Sequence, residues 1–399
     1  MENSDPRIDK LANILLVEAF RVIATWMHIE PDGQRLRIRM RVDGELRVGQ
    51  PPPVKLAKPL VGWFKERAGL DPSEARLPQL GGFEMTIGGR QRYVRVETIP
   101  SMDGEKLVLR FDDPEPWRIR GLDELGLGEK ALTDLKAAMD KRRGLVLFAG
   151  PTNSGKNTTC YAMLGAMDRE KLVVASVESA ARSPLQGVHQ SVVDEKLGWN
   201  QAAALRTLMR MDVDVVYTQE LTDFETTELA IRMAIRGQLV LSTIHTSDAP
   251  KAIQRLVHMG FEPWQALDSV AMVVAQRLLP RLCTACKAPA DVPRQALLDA
   301  GLRPDAPVLP RIYKPVGCDV CDDTGWRGQV LVEEHLNMRE PTTAWSISQL
   351  VMAHASPQAV RSAAIAAGMR TMREAALMQV CDGETTLSEA LIATPPVHG

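Results

Sequence analysis

The sequence predicts an α/β protein in which a parallel sheet carries helices on both faces. Four short apolar runs in the C-terminal two thirds of the chain have the character of buried strands: GLVLFAG, KLVVASV, DVVYTQ and QLVLSTI. Segments with helical spacing separate these runs, and such alternation is typical of parallel sheets that are covered on both sides. The second observation is a glycine-rich segment, GPTNSGKN, directly after the first run. It occupies the strand-to-helix turn where proteins of this class bind phosphate.

Length and composition narrow the class further. The chain has 399 residues, 45% of them apolar and 25% charged, which suits a globular protein of two or three domains. A formal net charge of -2 gives no overall field that would favour nucleic acid or anionic lipid. The polar N-terminus, MENSDPRIDK, lacks the pattern of a secretory signal, and no apolar run reaches the roughly 18 residues of a membrane helix. We therefore expect a cytosolic protein, linked to a membrane only through a partner.

The first part of the chain predicts a small α+β domain over residues 1–112. In residues 35–48, RLRIRMRVDGELRV, arginines alternate with apolar residues, as in a half-buried strand, and an Asp-Gly pair offers a hairpin turn. A second strand pair is expected at RQRYVRVET and KLVLRF. The arginines could also indicate nucleic-acid binding, but a solvated strand face explains the alternation better. A proline-containing linker at 113–123 separates this domain from the remainder, 124–399.

The glycine-rich segment fits a phosphate-binding P-loop except at its last position. Its glycines allow backbone N–H groups to surround phosphate oxygens, and Lys156 neutralises phosphate charge. A Ser or Thr hydroxyl should follow the lysine as a Mg²⁺ ligand, but this chain has Asn157, a poorer ligand, and Thr158 points about 100° away. A plain glycine-rich turn with a solvated lysine is the less favoured alternative. The candidate nucleotide-binding residues here are Gly150, Pro151, Thr152, Asn153, Ser154, Gly155, Lys156, Asn157 and Thr158.

Four of the six cysteines form two Cys-x2-Cys pairs with 31 residues between them: Cys283, Cys286, Cys318 and Cys321. In a cytosolic chain this spacing favours a metal over disulfides, and four thiolates predict a closed, structural Zn²⁺ site. The alternatives are a zinc ribbon that binds nucleic acid and buried thiol pairs without a metal. Because the segment is not basic, nucleic-acid binding is less favoured. Cys160 and Cys381 are expected to be buried small hydrophobes.

Nearly the whole chain resembles the hexameric secretion ATPases, the family of type II secretion protein E and the type IV pilus assembly ATPases. ATWMHIEPDGQRLRIRMRVDGELR, AGLDPSEARLPQLGG and VRVETIPSMDGEKLVLRF are similar to the start, middle and end of that family's second N-terminal domain. RLCTACK and GCDVCDDTGWRGQVLVEEHL resemble its zinc insert. The resemblance implies a RecA-like P-loop NTPase core over 124–399, with the zinc insert at 281–333 and a helical region at 341–399.

Three further blocks of the family can be matched. Residues that keep the family's identity in them are Glu178, Asp214, Glu220, Asp223, Ser242, Thr243, His245 and Thr246. The resemblance implies that Glu220 orients or deprotonates the attacking water and that His245 senses the γ-phosphate, with Lys156 as the third catalytic group. Glu178 and Asp214 are implied in cofactor binding. Without the matched blocks, Glu220 would be interpreted as an acid at the start of a helix and His245 as a histidine of the core. The matched blocks favour a functional role for both residues.

Arginines complete the implied charge balance at the nucleotide. Positions that match the family's arginines are Arg95, Arg110, Arg206, Arg210 and Arg255. A guanidinium that reaches the γ-phosphate from another domain or subunit stabilises the charge of the transition state. For the two arginines of the first domain, a surface strand pair is the structural alternative.

Five positions depart from the family pattern, and all of them belong to the phosphate site: Asn157, Ser179, Arg182, Gln219 and Thr222. Asn157 weakens the metal site. Ser179 and Arg182 replace two carboxylates. Gln219 puts bulk where the family has glycine beside the catalytic carboxylate, and Thr222 removes a guanidinium. Together these changes predict impaired ATP hydrolysis.

The sequence thus predicts a nucleotide-binding ring subunit of a type II secretion or type IV pilus assembly machine, with ATP, a weakened Mg²⁺ site and Zn²⁺ as cofactors. The ring is expected to be a homo-hexamer, or a mixed hexamer with an intact paralogue, at an inner-membrane platform protein. A fully active assembly ATPase is the alternative, and a zinc-ribbon nucleic-acid-binding protein is less favoured. Assembly members often begin with a further docking domain, whereas this sequence begins close to the second domain. We expect a cytoplasmic protein, peripheral to the inner membrane.

Overall fold

The structure is a computed structural model that describes residues 5–33, 35–87, 90–111, 120–179, 184–304 and 312–395. The chain forms two compact units, Met1–Arg118 and Ile119–Gly399. The domain boundaries given above remain predictions, and most of the predicted linker lies outside the described residues, as does Arg182. In the described part of the chain, no helix is long and apolar enough to cross a membrane.

The first unit is an antiparallel sheet with two helices. Its strands follow the order β3-β2-β1-β6-β5-β4, and every neighbouring pair is antiparallel. The elements in chain order are α1 (Pro6–Arg21), β1 (Trp26–Asp32), β2 (Arg35–Val42), β3 (Glu45–Val48), α2 (Ala57–Arg67), β4 (Gln79–Ile87), β5 (Arg90–Ser101) and β6 (Gly104–Phe111).

Apolar residues and arginines alternate along β2, and they lie on opposite faces of the strand as predicted. Its four apolar residues are buried, while its arginines lie on the other face of the strand. Two of these arginines pair with acids of β1: Arg39 binds Glu30 through two hydrogen bonds of 2.8 and 2.9 Å, and Arg37 binds Asp32. Acidic neighbours therefore balance this face of the sheet, as expected of a solvated strand face.

The second unit contains a seven-stranded sheet in the order β15-β12-β7-β11-β10-β8-β9, parallel except for β15. Its elements in chain order are α3 (Glu129–Lys141), β7 (Gly144–Ala149), α4 (Lys156–Ala166), β8 (Val174–Glu178), β9 (Val188–Val192), α5 (Gln201–Leu208), β10 (Val215–Glu220), α6 (Phe224–Arg236), β11 (Leu239–Ile244), α7 (Ala249–His258), α8 (Pro263–Ser269), β12 (Val270–Leu282), β13 (Ala288–Ala290), α9 (Arg294–Asp299), β14 (Ile312–Lys314), β15 (Trp326–Asn337), α10 (Pro341–Met352), α11 (Pro357–Ala366), α12 (Met372–Cys381) and α13 (Leu387–Ala393).

The predicted α/β class is confirmed, and the four apolar runs are β7, β8, β10 and β11. Side chains of β7 alternate between two cores: Leu145 and Leu147 enter one cluster, while Val146 and Phe148 enter the other. A strand whose side chains pack into a core on each face must be apolar throughout, and this explains the continuous apolar run of β7. The sequence argument missed β9, β12 and β15. The first, VHQSV, is not a continuous apolar run, and the other two, with 13 and 12 residues, have the length of helices.

Glu333 of β15 is a buried carboxyl group, 8% exposed. Burial raises its pKa to about 7 from an ordinary 4.5, although a hydrogen bond from the Gly128 backbone and the charge of Arg370 oppose the rise. At a pH between these two pKa values, Glu333 is protonated in the folded protein and ionised in the unfolded chain. The stabilisation is therefore complete below pH 4.5 and is lost as pH rises towards 7.

We expect Glu333→Gln to remove this pH dependence. Relative to the variant, the wild type should lose about 3 kcal/mol of unfolding free energy between pH 4.5 and 7.5, because 2.5 pKa units correspond to about that amount. Urea-induced unfolding at a series of pH values measures the difference. Glu170→Gln, at an exposed carboxylate, is the matched control. Parallel pH profiles for wild type and Glu333→Gln would contradict the expectation.

Candidate functional site

The loop between β7 and α4 has the backbone that a phosphate cradle needs. Gly150 has φ 143° and Gly155 has φ 89°, both in the region that favours glycine. A Cβ at Gly150 would lie 2.5 Å from the backbone oxygen of Gln276 and 2.6 Å from Ser154 Oγ, so a side chain there cannot be accommodated. The loop ends at the N-terminus of α4, where unpaired backbone N–H groups favour anions.

Lys156 is the first residue of α4 and is 7% exposed. Its Nζ donates to the backbone oxygens of Gly150 at 2.8 Å and Pro151 at 2.7 Å, so the ammonium is held over the loop. Ser154 Oγ is also buried there and has no hydrogen-bond partner among the described residues. A buried cation and an orphaned hydroxyl beside a helix N-terminus fit a nucleotide phosphate.

The expected hydroxyl ligand for Mg²⁺ is absent from the position after the lysine. Asn157 stands there, half-buried in the first turn of α4, followed by Thr158. Thr159 is buried, and its Oγ1 accepts a 2.9 Å hydrogen bond from Gln276 Nε2 on β12. An amide oxygen at Asn157 can still ligate a hard cation, but as a neutral group on a longer side chain.

Glu220 and His245, which sequence reasoning paired in function, also meet in space. Glu220 is the last residue of β10, and His245 directly follows β11, which pairs with β10 in parallel. Glu220 Oε2 lies 3.0 Å from His245 Nε2, and both side chains are partly exposed, at 32% and 40%. The P-loop follows β7, the other neighbour of β11, so all three groups lie at the carboxyl edge of the sheet. Ligands of open α/β sheets bind at this edge.

Gln219 makes a contact that sequence reasoning missed. Its Oε1 accepts a 2.9 Å hydrogen bond from the backbone N–H of Ser179, and its backbone oxygen accepts one of 2.6 Å from Ser242 Oγ. Gln219 therefore connects the ends of β8, β10 and β11. A glycine at this position could make the bond from Ser242 but not the bond to Ser179.

Glu178, the last residue of β8, is 1% exposed and is held by neutral donors. Its carboxylate accepts hydrogen bonds from the hydroxyls of Tyr161 at 2.5 Å and Ser176 at 2.6 Å, and Gln190 Nε2 lies at 3.4 Å. Sequence reasoning did not identify these partners. The one local signal for such a partner was Tyr161, whose hydroxyl is a polar group in the apolar second half of α4.

Two of the matched acids make structural hydrogen bonds. Asp214 precedes β10 and so lies at the opposite edge of the sheet from Glu220, about 20 Å of strand away. Its Oδ2 accepts a 2.8 Å hydrogen bond from the backbone of Val173. Asp223 caps the N-terminus of α6 through a 2.8 Å hydrogen bond from Thr226. The cofactor-binding role that the resemblance implies for Asp214 finds no support in this placement.

The candidate arginines of the second unit are all exposed. Arg206 of α5 forms an ion pair with Glu225, and Arg210 follows the same helix. Arg255 of α7 lines a groove together with His245, which makes it the arginine with a described link to the site.

In the first unit, Arg95 and Arg110 lie opposite each other on β5 and β6. The guanidinium of Arg110 stacks over the ring of Trp26, 5.3 Å from its centre. This arrangement agrees with a surface strand pair, and the nucleotide roles of both arginines remain predictions.

The four clustered cysteines converge between β12 and β15 in a geometry that suits a metal. Their sulfur atoms lie within 4.8 Å of one another, and Cys283–Cys318, Cys286–Cys321 and Cys318–Cys321 are separated by 4.0, 3.8 and 3.8 Å. Zn–S bonds of about 2.3 Å in a tetrahedron require S···S distances of about 3.8 Å. Backbone N–H groups of Gly317 and Gly325 donate to two of the sulfurs. The residues therefore fit Zn²⁺.

We expect the purified protein to carry about one zinc per chain and Cys286→Ser to carry none, because a tetrahedral site with one weak ligand loses most of its affinity. Metal analysis by mass spectrometry measures the zinc content, and thermal unfolding with and without a chelator measures its contribution to stability. Cys381→Ala is the control, because Cys381 is a buried cysteine outside the cluster. Unchanged zinc content in Cys286→Ser would contradict a four-cysteine site.

Solved structures confirm the fold. The ATPase DotB of Legionella pneumophila superimposes with a TM-score of 0.66 at 17% identity and covers 98% of this chain and 96% of its own. The pilus retraction motor PilT with bound ADP superimposes with a TM-score of 0.61 at 23% identity, with 97% of both chains covered.

Relatives identified by sequence are more similar. The type IV pilus assembly ATPase PilB of Myxococcus xanthus is 38% identical over 394 residues, which are 98% of this chain and 69% of PilB. The type II secretion system protein E of Pseudomonas aeruginosa is 38% identical over 395 residues, 98% of this chain and 76% of that protein. The family described as type II/IV secretion system protein matches residues 1–392. This chain therefore belongs to the type II/IV secretion system protein family.

Proposed function

We propose that the chain is an ATP-binding ring subunit of a type II secretion or type IV pilus assembly machine, with a RecA-like core and impaired hydrolysis. The convergence of the 150–157 loop with the Glu220–His245 pair at one edge of the sheet carries this proposal. Relatives named as type II secretion and pilus assembly ATPases support the same assignment.

At the loop, Lys156 exchanges its two backbone partners for phosphate oxygens of ATP and neutralises their charge. Ser154 gains an acceptor for its orphaned hydroxyl. Mg²⁺ supplies charge neutralisation between phosphate groups when bound. Asn157 offers it a neutral amide oxygen in place of a hydroxyl.

Glu220 holds the attacking water and accepts its proton, and His245 fixes the orientation of the carboxylate through the 3.0 Å contact. Gln219 positions this pair from the other side, because its side chain attaches the end of β10 to Ser179. That bond restrains Ser179, the residue directly after β8, relative to the end of β10. Reduced hydrolysis follows from the weakened metal ligand and from this added restraint.

The proposed assembly is a hexamer, either of this chain alone or mixed with an intact paralogue, at the cytoplasmic side of an inner-membrane platform protein. In a mixed ring, a subunit that binds ATP and hydrolyses it slowly still contributes interfaces to active neighbours. Zn²⁺ would stabilise the tetracysteine segment. A fully active assembly ATPase is the second candidate, because Lys156, Glu220 and His245 are all present at the site.

The deciding experiment measures ATP affinity and turnover of the purified chain, with Mg²⁺ and with the metal chelated. We expect binding that Lys156→Ala weakens at least tenfold, since a charge-assisted contact contributes about 1.5–3 kcal/mol, and turnover well below that of a related secretion ATPase. Lys136→Ala, an exposed lysine of α3, is the control. Turnover equal to that of a relative would establish the active alternative. No ATP binding at all would refute the nucleotide site.

A further inference from the structure

The turn between β11 and α7 carries His245 and is closed by hydrogen bonds onto its last residue, Asp248. Thr246 Oγ1 donates to the backbone oxygen of Asp248 at 3.1 Å, and Ser247 Oγ donates to its carboxylate at 2.9 Å. Asp248 is 2% exposed, and its carboxylate also accepts a 3.0 Å hydrogen bond from a backbone N–H in the first turn of α7. A group that fixes Asp248 therefore also fixes this turn, which we call the His245 turn.

Two side chains from other elements hold the end of the His245 turn. Glu334 of β15 accepts a 3.0 Å hydrogen bond from the backbone N–H of Ala249, the first residue of α7. Arg361 of α11 contacts the Glu334 carboxylate with both terminal nitrogens, at 3.4 and 3.2 Å, and its Nη1 lies 3.9 Å from Asp248 Oδ2. Glu334 is fully buried, and the side chain of Arg361 is 13% exposed. The turn is thus attached to two elements that are distant from it in sequence.

The register of the sheet places Glu334 in one row with both parts of the proposed nucleotide site. Glu334 lies opposite Ala275 of β12. Ala275 lies opposite Ala149 of β7, and Ala149 lies opposite Ile244 of β11. Ala149 is the residue before the glycine-rich loop, and Ile244 is the residue before His245. Because Glu334 also binds the start of α7, it connects the His245 turn to the row of the sheet at which the loop begins.

We propose that Glu334 and Arg361 are positioning residues for the Glu220–His245 pair. They fix the end of the His245 turn, and the fixed turn keeps His245 Nε2 at 3.0 Å from Glu220 Oε2. The His245 side chain is 40% exposed, so packing around its own ring contributes little to this placement. Both residues act through the turn and not on the substrate. The catalytic meaning of the inference rests on the proposed function, in which this pair orients the attacking water.

The first test needs no nucleotide. It measures, by mass spectrometry, the rate at which diethyl pyrocarbonate modifies His245 in the purified chain, relative to the exposed His189 of β9. Glu220→Ala removes the contact directly and gives the rate of a released imidazole. The double variant Arg361→Met with Glu334→Gln should raise the relative rate at least about threefold, because a lost hydrogen bond corresponds to a change of that size.

A matched control removes a comparably buried ion pair elsewhere. Lys65 and Glu105 of the first unit form such a pair, with 2.8 Å between Lys65 Nζ and Glu105 Oε1. Lys65→Met with Glu105→Gln should leave the modification rate of His245 unchanged. General destabilisation would raise the rate in both double variants, whereas loss of the anchor on the turn raises it only in the variant of Glu334 and Arg361.

The second test measures single-turnover hydrolysis of ATP together with ATP affinity. The double variant of Glu334 and Arg361 should hydrolyse ATP about tenfold more slowly at unchanged affinity, because misplacement of a catalytic group slows the chemical step. Urea-induced unfolding measures its stability in parallel, and a purely structural role predicts that turnover returns with stability. In a His245→Ala background, the same two substitutions should have no further effect on turnover, because they act through His245.

Three results would overturn the proposal: an unchanged modification rate of His245 in the double variant of Glu334 and Arg361, an equal rise in the control of Lys65 and Glu105, or the same loss of turnover with and without His245. Absence of ATP binding by the wild-type chain would refute the proposed function instead. The modification rates would then still decide whether Glu334 and Arg361 hold the His245 turn, because they are measured without nucleotide.

Discussion

Replacing Asn157 with threonine is expected to raise Mg²⁺-dependent ATP turnover about tenfold or more. The variant places a hydroxyl at the position after Lys156, in the first turn of α4 at the proposed phosphate site. A barrier lower by about 1.4 kcal/mol gives a tenfold faster reaction, and a better metal ligand contributes at least that much. Steady-state phosphate release at saturating ATP, with and without a chelator, measures the change.

Two controls make the result specific. Asn157→Ala removes the amide without adding a hydroxyl and should not increase turnover. Adding Glu220→Gln to Asn157→Thr should abolish the gain, because in the proposed mechanism the Glu220 carboxylate accepts the proton of the attacking water. Equal turnover in wild type and Asn157→Thr would place the main defect elsewhere, and Gln219→Gly, which removes the side-chain bond to Ser179, is then the next variant to measure.

The second large effect concerns Glu334 of β15, which is fully buried. Arg361 of α11 pairs with both of its oxygens at 3.4 and 3.2 Å, and the backbone N–H groups of Ala249 and Met372 each donate at 3.0 Å. Burial raises the pKa of Glu334, while these partners favour its charged form. The carboxylate thus joins β15 to the start of α7, which follows the His245 loop, and to the start of α12.

Arg361→Met is expected to cost about 3–5 kcal/mol of unfolding free energy, because it leaves a buried charge without its cation. Urea-induced unfolding at neutral pH measures the loss. The double variant Arg361→Met with Glu334→Gln should recover much of it, since the amide oxygen still accepts a backbone hydrogen bond without a charge. Arg232→Met, at an exposed pair with Glu228, should change stability by less than about 1 kcal/mol. A small effect of Arg361→Met, matching that control, would show that the pair is dispensable.

Local patterns made several features predictable. The 150–157 loop lies between β7 and α4, as its glycine and lysine spacing predicts, since a strand, a tight turn and a helix start are determined by neighbouring residues. Apolar runs predicted β7, β8, β10 and β11, because strands buried on both faces are apolar throughout. Cysteine spacing predicted the tetracysteine cluster, because each Cys-x2-Cys pair is local. The antiparallel strand β15 escaped prediction, since its pairing with β12 spans the whole cysteine segment.

Sequence by itself determined the family, the α/β class and the chemical groups of the proposed phosphate site, because these depend on residue types at short spacing. Only the tertiary structure decided which groups meet. It joined Glu220 to His245, gave Gln219 a bond to Ser179 forty residues away, and moved Asp214 to the opposite edge of the sheet. Among the described residues, it also left the buried Gln254 Oε1 without a hydrogen-bond partner. The physical reason is that burial and long-range pairing depend on the packing of the whole sheet, which no local window of sequence contains.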